Sequence, residues 1–249
     1  MTPLPTGMRP DVLEVAFFPN VFEQRPLFRR VSWMALAARL GRFPTERADA
    51  DKRRLPCWAP AAWVSDGGGW RLDSLSALVL DVDGGQDIDE ALARCDGLTV
   101  AVHTSWSHTL ASPRFRVVLP LAAPILVSAW SSVWHAAVSC LGIPADAACV
   151  NANRRYLLPA RRGPKSATRF EVVTTDRAVD ASGWVQTAGR FCGRGSAPRT
   201  RASTFPCPAC ARRSVWFLLP AGKSSVARCN HRNSCGWSGP AAPFAHGAS

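Results

Sequence analysis

Two acids one residue apart mark where this chain could do chemistry. They close the run Ala77-Leu78-Val79-Leu80-Asp81-Val82-Asp83-Gly84, whose apolar part has the length of a buried strand. Side chains alternate along a strand, so Asp81 and Asp83 face one way while Val82 faces the core. Neighbouring carboxylates repel, and stripping them of water is costly unless a cation sits between them. A divalent ion on hard oxygen ligands is the economical answer. Leu98 to His103 reads as a second strand, running into Thr104-Ser105-Trp106-Ser107-His108. Phe115 to Leu121 reads as a third, beside the basic pair Arg114 and Arg116. Acids, a histidine and arginines gathered over one small sheet would suit a metal-bound triphosphate.

The second constellation is Cys207-Pro208-Ala209-Cys210, followed by Cys229 and Cys235. Paired cysteines with a Cys-Pro-x-Cys knuckle are typical of tetrahedral zinc sites. The stretch is too short to bury a useful core, so Zn2+ would supply most of its folding free energy. His231 is an alternative fourth ligand, and four sulfurs are favoured because Cys235-Gly236 reads as the turn that closes a zinc ribbon. Arg212, Arg213, Trp216, Phe217, Lys223, Arg228 and Trp237 surround these positions. Basic and aromatic residues together suit single-stranded nucleic acid, although Trp216 and Phe217 would serve equally as the ribbon's own minimal core. Cys57, Cys95, Cys140, Cys149 and Cys192 lack ligand-like spacing and read as small buried apolar groups.

Several elements must position the acids. Asp11 to Phe18 reads as a strand, and Val31 to Gly41 as a helix with Trp33, Leu36, Ala37 and Leu40 inward. Between Arg47 and Trp63, Pro56 and Pro60 argue for an extended connection. Asp87 to Cys95 is expected as a short helix with solvated acids in its first turn. Ser128 to Leu141 is the clearest helix, its Trp130, Val133, Trp134, Ala137, Val138 and Leu141 forming a core stripe. His135 reads there as structural, and His103 as either structural or functional. Tyr156-Leu157-Leu158 and Phe170 to Val173 are expected as further strands.

A formal charge of +12 and a pI near 10.1 favour polyanionic partners, with arginine far outnumbering lysine. Val117 to Ala145 carries no charge, yet Pro120, Pro124, Pro144 and several serines make a strand and a buried helix a better reading than a membrane span. Residues 1–10 lack the order of a secretory signal, so a cytoplasmic location and reduced or metal-bound cysteines are expected. No acid follows Asp180, and residues 194–204 have a linker composition. The expected organisation is a catalytic domain over 1–188, a basic linker over 189–204, the zinc ribbon over 205–240 and a tail over 241–249.

Rival chemistries fit less well. An apolar strand ending in Asp-x-Asp-Gly also opens haloacid-dehalogenase phosphatases, but here Gly85 follows Gly84, the motif begins far into the chain and no later acidic pair appears. A nuclease using the lone Tyr156 would need two close histidines, and His103 and His108 are too far apart. The spacing of an EF-hand loop is absent.

Taken together, Asp81-Val82-Asp83, then Ser107 with His108, then the single acid Asp146 resemble the three-motif pattern of the archaeo-eukaryotic primase superfamily. The likeness is to the compact primase–polymerases of plasmids, phages and other mobile elements. Pro113-Arg114-Phe115-Arg116-Val117-Val118-Leu119-Pro120-Leu121 is similar to a familiar stretch of these proteins, as are Asn151-Ala152-Asn153-Arg154-Arg155-Tyr156-Leu157-Leu158-Pro159 and the Lys52 to Pro56 approach. The resemblance spans residues 10 to 175. It implies an α+β core with an RRM-like small sheet, in which Asp81, Asp83 and Asp146 hold Mg2+ or Mn2+. It implies that His108 with Ser107 meets the nucleotide's phosphates and that Arg114, Arg116 and Arg155 neutralise them. The activity implied is that of a nucleotidyltransferase making primers on a single-stranded DNA template from nucleoside triphosphates. With no Gly-Lys-Ser/Thr loop in the chain, a separately encoded helicase or polymerase is the expected partner. The alternatives are a catalytically silent replication-initiation or nucleic-acid-binding protein and, behind it, the phosphatase.

Overall fold

The structure is a computed structural model that describes residues 5–46, 50–65, 67, 69–163 and 165–182, together with the backbone of four short strands further on. The chain divides into two compact units, Met1–Phe191 and Cys192–Ser249, each described by itself. In chain order the first unit runs β1 (Thr6–Met8), β2 (Leu13–Phe18), β3 (Leu27–Val31), α1 (Trp33–Leu40), β4 (Cys57–Ala59), β5 (Ala61–Ser65), β6 (Trp70–Val82) and α2 (Ile88–Arg94). It continues with β7 (Val100–Thr104), β8 (Phe115–Leu126), α3 (Trp130–Leu141), β9 (Tyr156–Leu157), β10 (Phe170–Val173) and β11 (Arg177–Val179).

These elements make an α+β fold with two sheets. The larger is built on the long antiparallel pair β6 and β8, with β5 beyond β6. On its other side β8 changes neighbour along its length. Phe115 to Val118 pair with β7, which in turn pairs β10, while Leu121 meets Val179 of β11 in parallel and β11 carries β1. This change explains how a strand containing Pro120 survives in mid-sheet. Pro120 falls in the gap between the two neighbours, and β6 bulges opposite it between Leu75 and Ala77. The smaller sheet is the antiparallel series β3-β2-β4-β9.

β6 is apolar on both faces from Ala77 to Leu80, so it must be covered from both sides, and nearly all of it is buried. The two sheets and the stripes of α1 and α3 supply the cover, with Trp33, Trp58 and Trp130 among the largest fully buried side chains. Ser32 caps α1 by accepting from Ala35 N–H, and Asp87 caps α2 by accepting from Glu90 N–H. α3 stops at Gly142, whose φ of 63° suits glycine.

Two expectations change. The segment between Arg47 and Trp63 is not a bare connection: β4 forms between Pro56 and Pro60, which bracket its ladder rather than interrupt it, and β5 follows at once. His135 on α3 is exposed, its ring edge-on to Trp134 at 5.1 Å, so it is not part of the core. No helix among the described residues is long and apolar enough to cross a membrane.

In the second unit, β12 (Thr204–Pro206) pairs antiparallel with β13 (Arg213–Val215), and β14 (Val226–Arg228) with β15 (Ser238–Pro240). Cys207, Cys210, Cys229, His231 and Cys235 lie outside the described residues. In sequence, the first two cysteines fall between β12 and β13, the second two between β14 and β15.

Candidate active site

Strand register lines up the first part of the site. Phe170, His103, Arg116 and Asp81 are paired in turn across β10, β7, β8 and β6, so their side chains share one face. Asp81 is 6% exposed, and a buried carboxylate needs a partner. Arg116 provides it: its Nε donates to Asp81 Oδ1 at 3.0 Å, and its Nη1 donates to the Leu157 carbonyl at 2.9 Å. The guanidinium also lies over the Tyr156 ring, 5.6 Å from the centroid.

Asp146 reaches the same place from beyond α3. Its main-chain N–H donates to the Asp81 carbonyl at 2.7 Å, fixing the two acids together. Its Oδ1 accepts from Ala148 N–H at 2.9 Å and caps the 3-10 turn Ala147–Val150. Its Oδ2 faces Arg154, whose Nη2 stands 3.3 Å from it and 3.7 Å from Asp81 Oδ2. The turn that Asp146 caps brings Cys149 inward. One ligand atom from each of Asp81, Asp146 and Cys149 lies within 4.8 Å of the others. One divalent cation with bonds of about 2.0–2.6 Å spans such a set, so the residues present fit a metal. Burial raises the Cys149 thiol's pKa, and the Asp81 charge adds to the rise.

Asp83 is not a member of that group. It follows the end of β6, its side chain is about half exposed, and its Oδ1 pairs with Arg114 Nη1 at 3.3 Å. It does line the same cavity, of about 260 Å³, as Asp81. Six cationic side chains wall this space: Lys52, Arg53, Arg114, Arg116, Arg154 and Arg155. Ser105, Trp106 and Ser107 complete the rim. Cations outnumber acids here, which suits a polyanion. A roomier cleft of about 500 Å³ lies beside Phe43, Pro56 and Pro159, but no pair of acids converges on it.

The remaining residues singled out from sequence fall as follows. Arg155 lines the cavity and is held by the Val21 and Glu23 carbonyls, with its guanidinium 3.9 Å from the Phe18 ring centroid. His108 is not among the lining residues. Its Nδ1 accepts from Arg114 N–H at 3.1 Å, closing the loop between β7 and β8, and partial burial lowers its pKa. Sequence reasoning passed over Lys52, Arg53, Arg154 and Cys149 as site residues. Arg154 and Lys52 stood inside stretches already singled out, and Cys149 follows Asp146 by three residues, the spacing that puts two side chains on one side of a helical turn. His103 is fully buried beside Arg116. Burial first, and then the Arg116 charge, push its pKa down to about 3. Its Nδ1 bonds the Thr104 carbonyl at 3.1 Å, and no partner for its Nε2 appears among the described residues.

The site is thus an acid pair, Asp81 and Asp146, compensated by arginines, with Asp81 on the wall of a cationic cavity and Asp146 behind it, outside the lining. Among solved structures, the chain is similar to the primase–polymerase (AEP) domain of cyanophage S-2L. That likeness has 11% identity and a TM-score of 0.40, and covers 71% of this chain and 88% of that one. It is also similar to the polymerase domain of Mycobacterium tuberculosis ligase D in complex with DNA, at 15% identity and a TM-score of 0.32, over 72% of this chain and 82% of that one. No protein-family model and no curated protein matches the chain.

Proposed function

We propose that the first unit is a nucleotidyltransferase of the primase–polymerase kind, and that the chain makes or extends short primers on single-stranded DNA from nucleoside triphosphates. One observation carries the reading: Asp81, on the wall of a cavity ringed by six cationic side chains, is clasped to Asp146 from a distant part of the chain. A pure binder of phosphates has no use for converging carboxylates beside them. Asp81 and Asp146 would hold Mg2+ or Mn2+, with Asp83 at the mouth. When bound, the ions would activate a primer's 3′-hydroxyl and stabilise the leaving pyrophosphate.

The chain's own side chains divide the remaining work. Arg116 is fixed by Asp81 and Leu157, so it meets the triphosphate as a preset charge rather than a flexible one. Arg155, held by two carbonyls, does the same from the smaller sheet's side. Lys52, Arg53 and Arg114 are more exposed and draw the polyanion in. Ser107 is placed at the rim to bond a phosphate oxygen, and His108 acts through the Arg114 loop it holds. In the second unit, Cys207, Cys210, Cys229 and Cys235 are assigned to a structural Zn2+. The two antiparallel strand pairs, each enclosing two of these cysteines in sequence, support that assignment.

A second reading has its own support. Arg116 and Arg154 already neutralise the acids without any metal, which is what a silent template-binding relative of such enzymes would keep. One assay separates the two. Protein, primed and unprimed single-stranded template, labelled nucleotides and Mg2+ or Mn2+ should yield extended product, lost in Asp81→Ala with Asp83→Ala. Product that persists in that variant overturns the site, template binding without product favours the silent binder, and phosphate release from a small ester points to the phosphatase.

A further inference from the structure

Far from the acids, the two sheets meet in a second groove. Trp70 is the first residue of β6 and Asp81 its last but one, so at about 3.3 Å per residue they stand about 35 Å apart along the strand. At this far end β3 and β5 are the edge strands of the smaller and the larger sheet. Their registers decide what faces the groove. Phe28 pairs with Ala16 and Arg30 with Glu14, so Phe28 and Arg30 share one face of the smaller sheet. Trp63 pairs with Leu72 and Ser65 with Trp70, so Trp63 and Trp70 share one face of the larger. The Phe28 and Trp70 rings meet across the junction, their centroids 4.6 Å apart and their planes tilted by 59°. Trp70 nevertheless stays 47% exposed, and Arg29 and Arg30 are exposed on the edge. Phe28, Arg29, Arg30 and Trp63 line a hollow of about 170 Å³ between the strands. That is below the range of about 300–1,000 Å³ that encloses a whole small ligand, so the hollow suits a passing polymer. The side chains say which polymer. Arginines on an edge strand discourage a protein strand from pairing there and attract phosphates, and exposed rings offer faces on which unpaired bases stack. Glu14 adds one acid to the lining, its Oε1 4.0 Å from Arg30 Nε, against two arginines.

We propose that this groove is a second contact for a single-stranded DNA template, in which bases stack on Trp70 and Phe28 while Arg29 and Arg30 take backbone phosphates. This rests on the reading that the cationic cavity works on such a template, and it adds where the strand goes beyond it. An extended strand needs about six nucleotides to reach from Asp81 to Trp70, within the sites of about 4–16 nucleotides typical of single-strand-binding folds. The cavity, with six cations against the groove's two arginines, is the stronger contact and holds a strand too short for both. A longer strand gains the groove as a tethered second contact, and its affinity rises accordingly.

The test is a fluorescence anisotropy titration of the full chain with labelled oligothymidylates of about 4 and about 16 nucleotides. Wild type should bind the longer strand more tightly. Trp70→Leu keeps an apolar side chain against Phe28 but removes the ring. It should weaken binding of the longer strand at least about fivefold while matching wild type on the shorter one. Trp70→Phe, which keeps a ring, should retain most of the affinity. Arg29→Ala with Arg30→Ala, both at exposed positions, gives a second measure: the slope of log affinity against log salt for the longer strand should fall by up to about 1.4. Unchanged affinity of Trp70→Leu for the longer strand, a loss equal on both lengths, or an unchanged salt slope in the arginine variant overturns the groove and leaves the cavity's reading standing. Failure of wild type to bind either strand overturns both.

Discussion

His103 is held far from its usual state, and its position explains why. It stands between Phe170 and Arg116 in one row across the sheet, fully buried beside a fixed positive charge. Both features favour the neutral ring, so the folded pKa falls to about 3 while the unfolded ring keeps about 6.5. Between those values the unfolded chain carries a proton that the folded chain refuses. The stability linked to this group is therefore complete above about pH 6.5 and is lost as the pH falls below it, by up to about 1.4 kcal/mol per unit. Chemical denaturation between about pH 7 and about pH 5 should show that slope, and His103→Phe should flatten it. An equal slope in the variant would assign the pH dependence elsewhere. From sequence alone His103 was undecided, because a strand residue's surroundings depend on which strands pair beside it. Asp81 was legible, since an acid after four consecutive apolar residues is conspicuous whatever surrounds it.

At the scale of elements, the 3-10 turn after α3 does two jobs with one carboxylate. Asp146 Oδ1 caps the turn while Oδ2 faces Arg154, so the cap and the charge can be separated by substitution. Asp146→Asn keeps a good cap and should leave stability within about 0.5 kcal/mol of wild type while abolishing product in the primer assay. Asp146→Ala should cost about 1 kcal/mol more in a thermal or denaturant melt. Equal stability of the two variants would show that the cap contributes nothing. The three helices were readable because apolar residues recur at helical spacing and Ser32 and Asp87 announce two of the starts. β4 was not, since two prolines outweigh three residues in any local reading, and only pairing to β2 and β9 makes them a strand. Arg154 escaped for a related reason. Its partners lie on a separate strand and a separate turn, and no local pattern distinguishes it from the neighbouring Arg155.

At the scale of the whole molecule, charge is distributed in a way that bears on the template. The chain has a formal net charge of +12 and no acid after Asp180, so its C-terminal part carries only positive and neutral side chains. Binding to single-stranded DNA should weaken steeply with salt, each phosphate contact adding about 0.7 to the slope of log affinity against log salt. Substituting Arg212, Arg213 and Arg228 together by Ala should flatten that slope by up to about 2. A fluorescence titration at several salt concentrations reads it, and an unchanged slope would remove these residues from the template's path. One further consequence follows from how Asp146 is tied to Asp81. The link runs from amide to carbonyl and ignores the side chain, so every residue except proline can occupy position 146 without loosening it. That position is a socket: a descendant could exchange the acid for an inert group and keep the whole scaffold, passing from catalyst to passive reader in a single step.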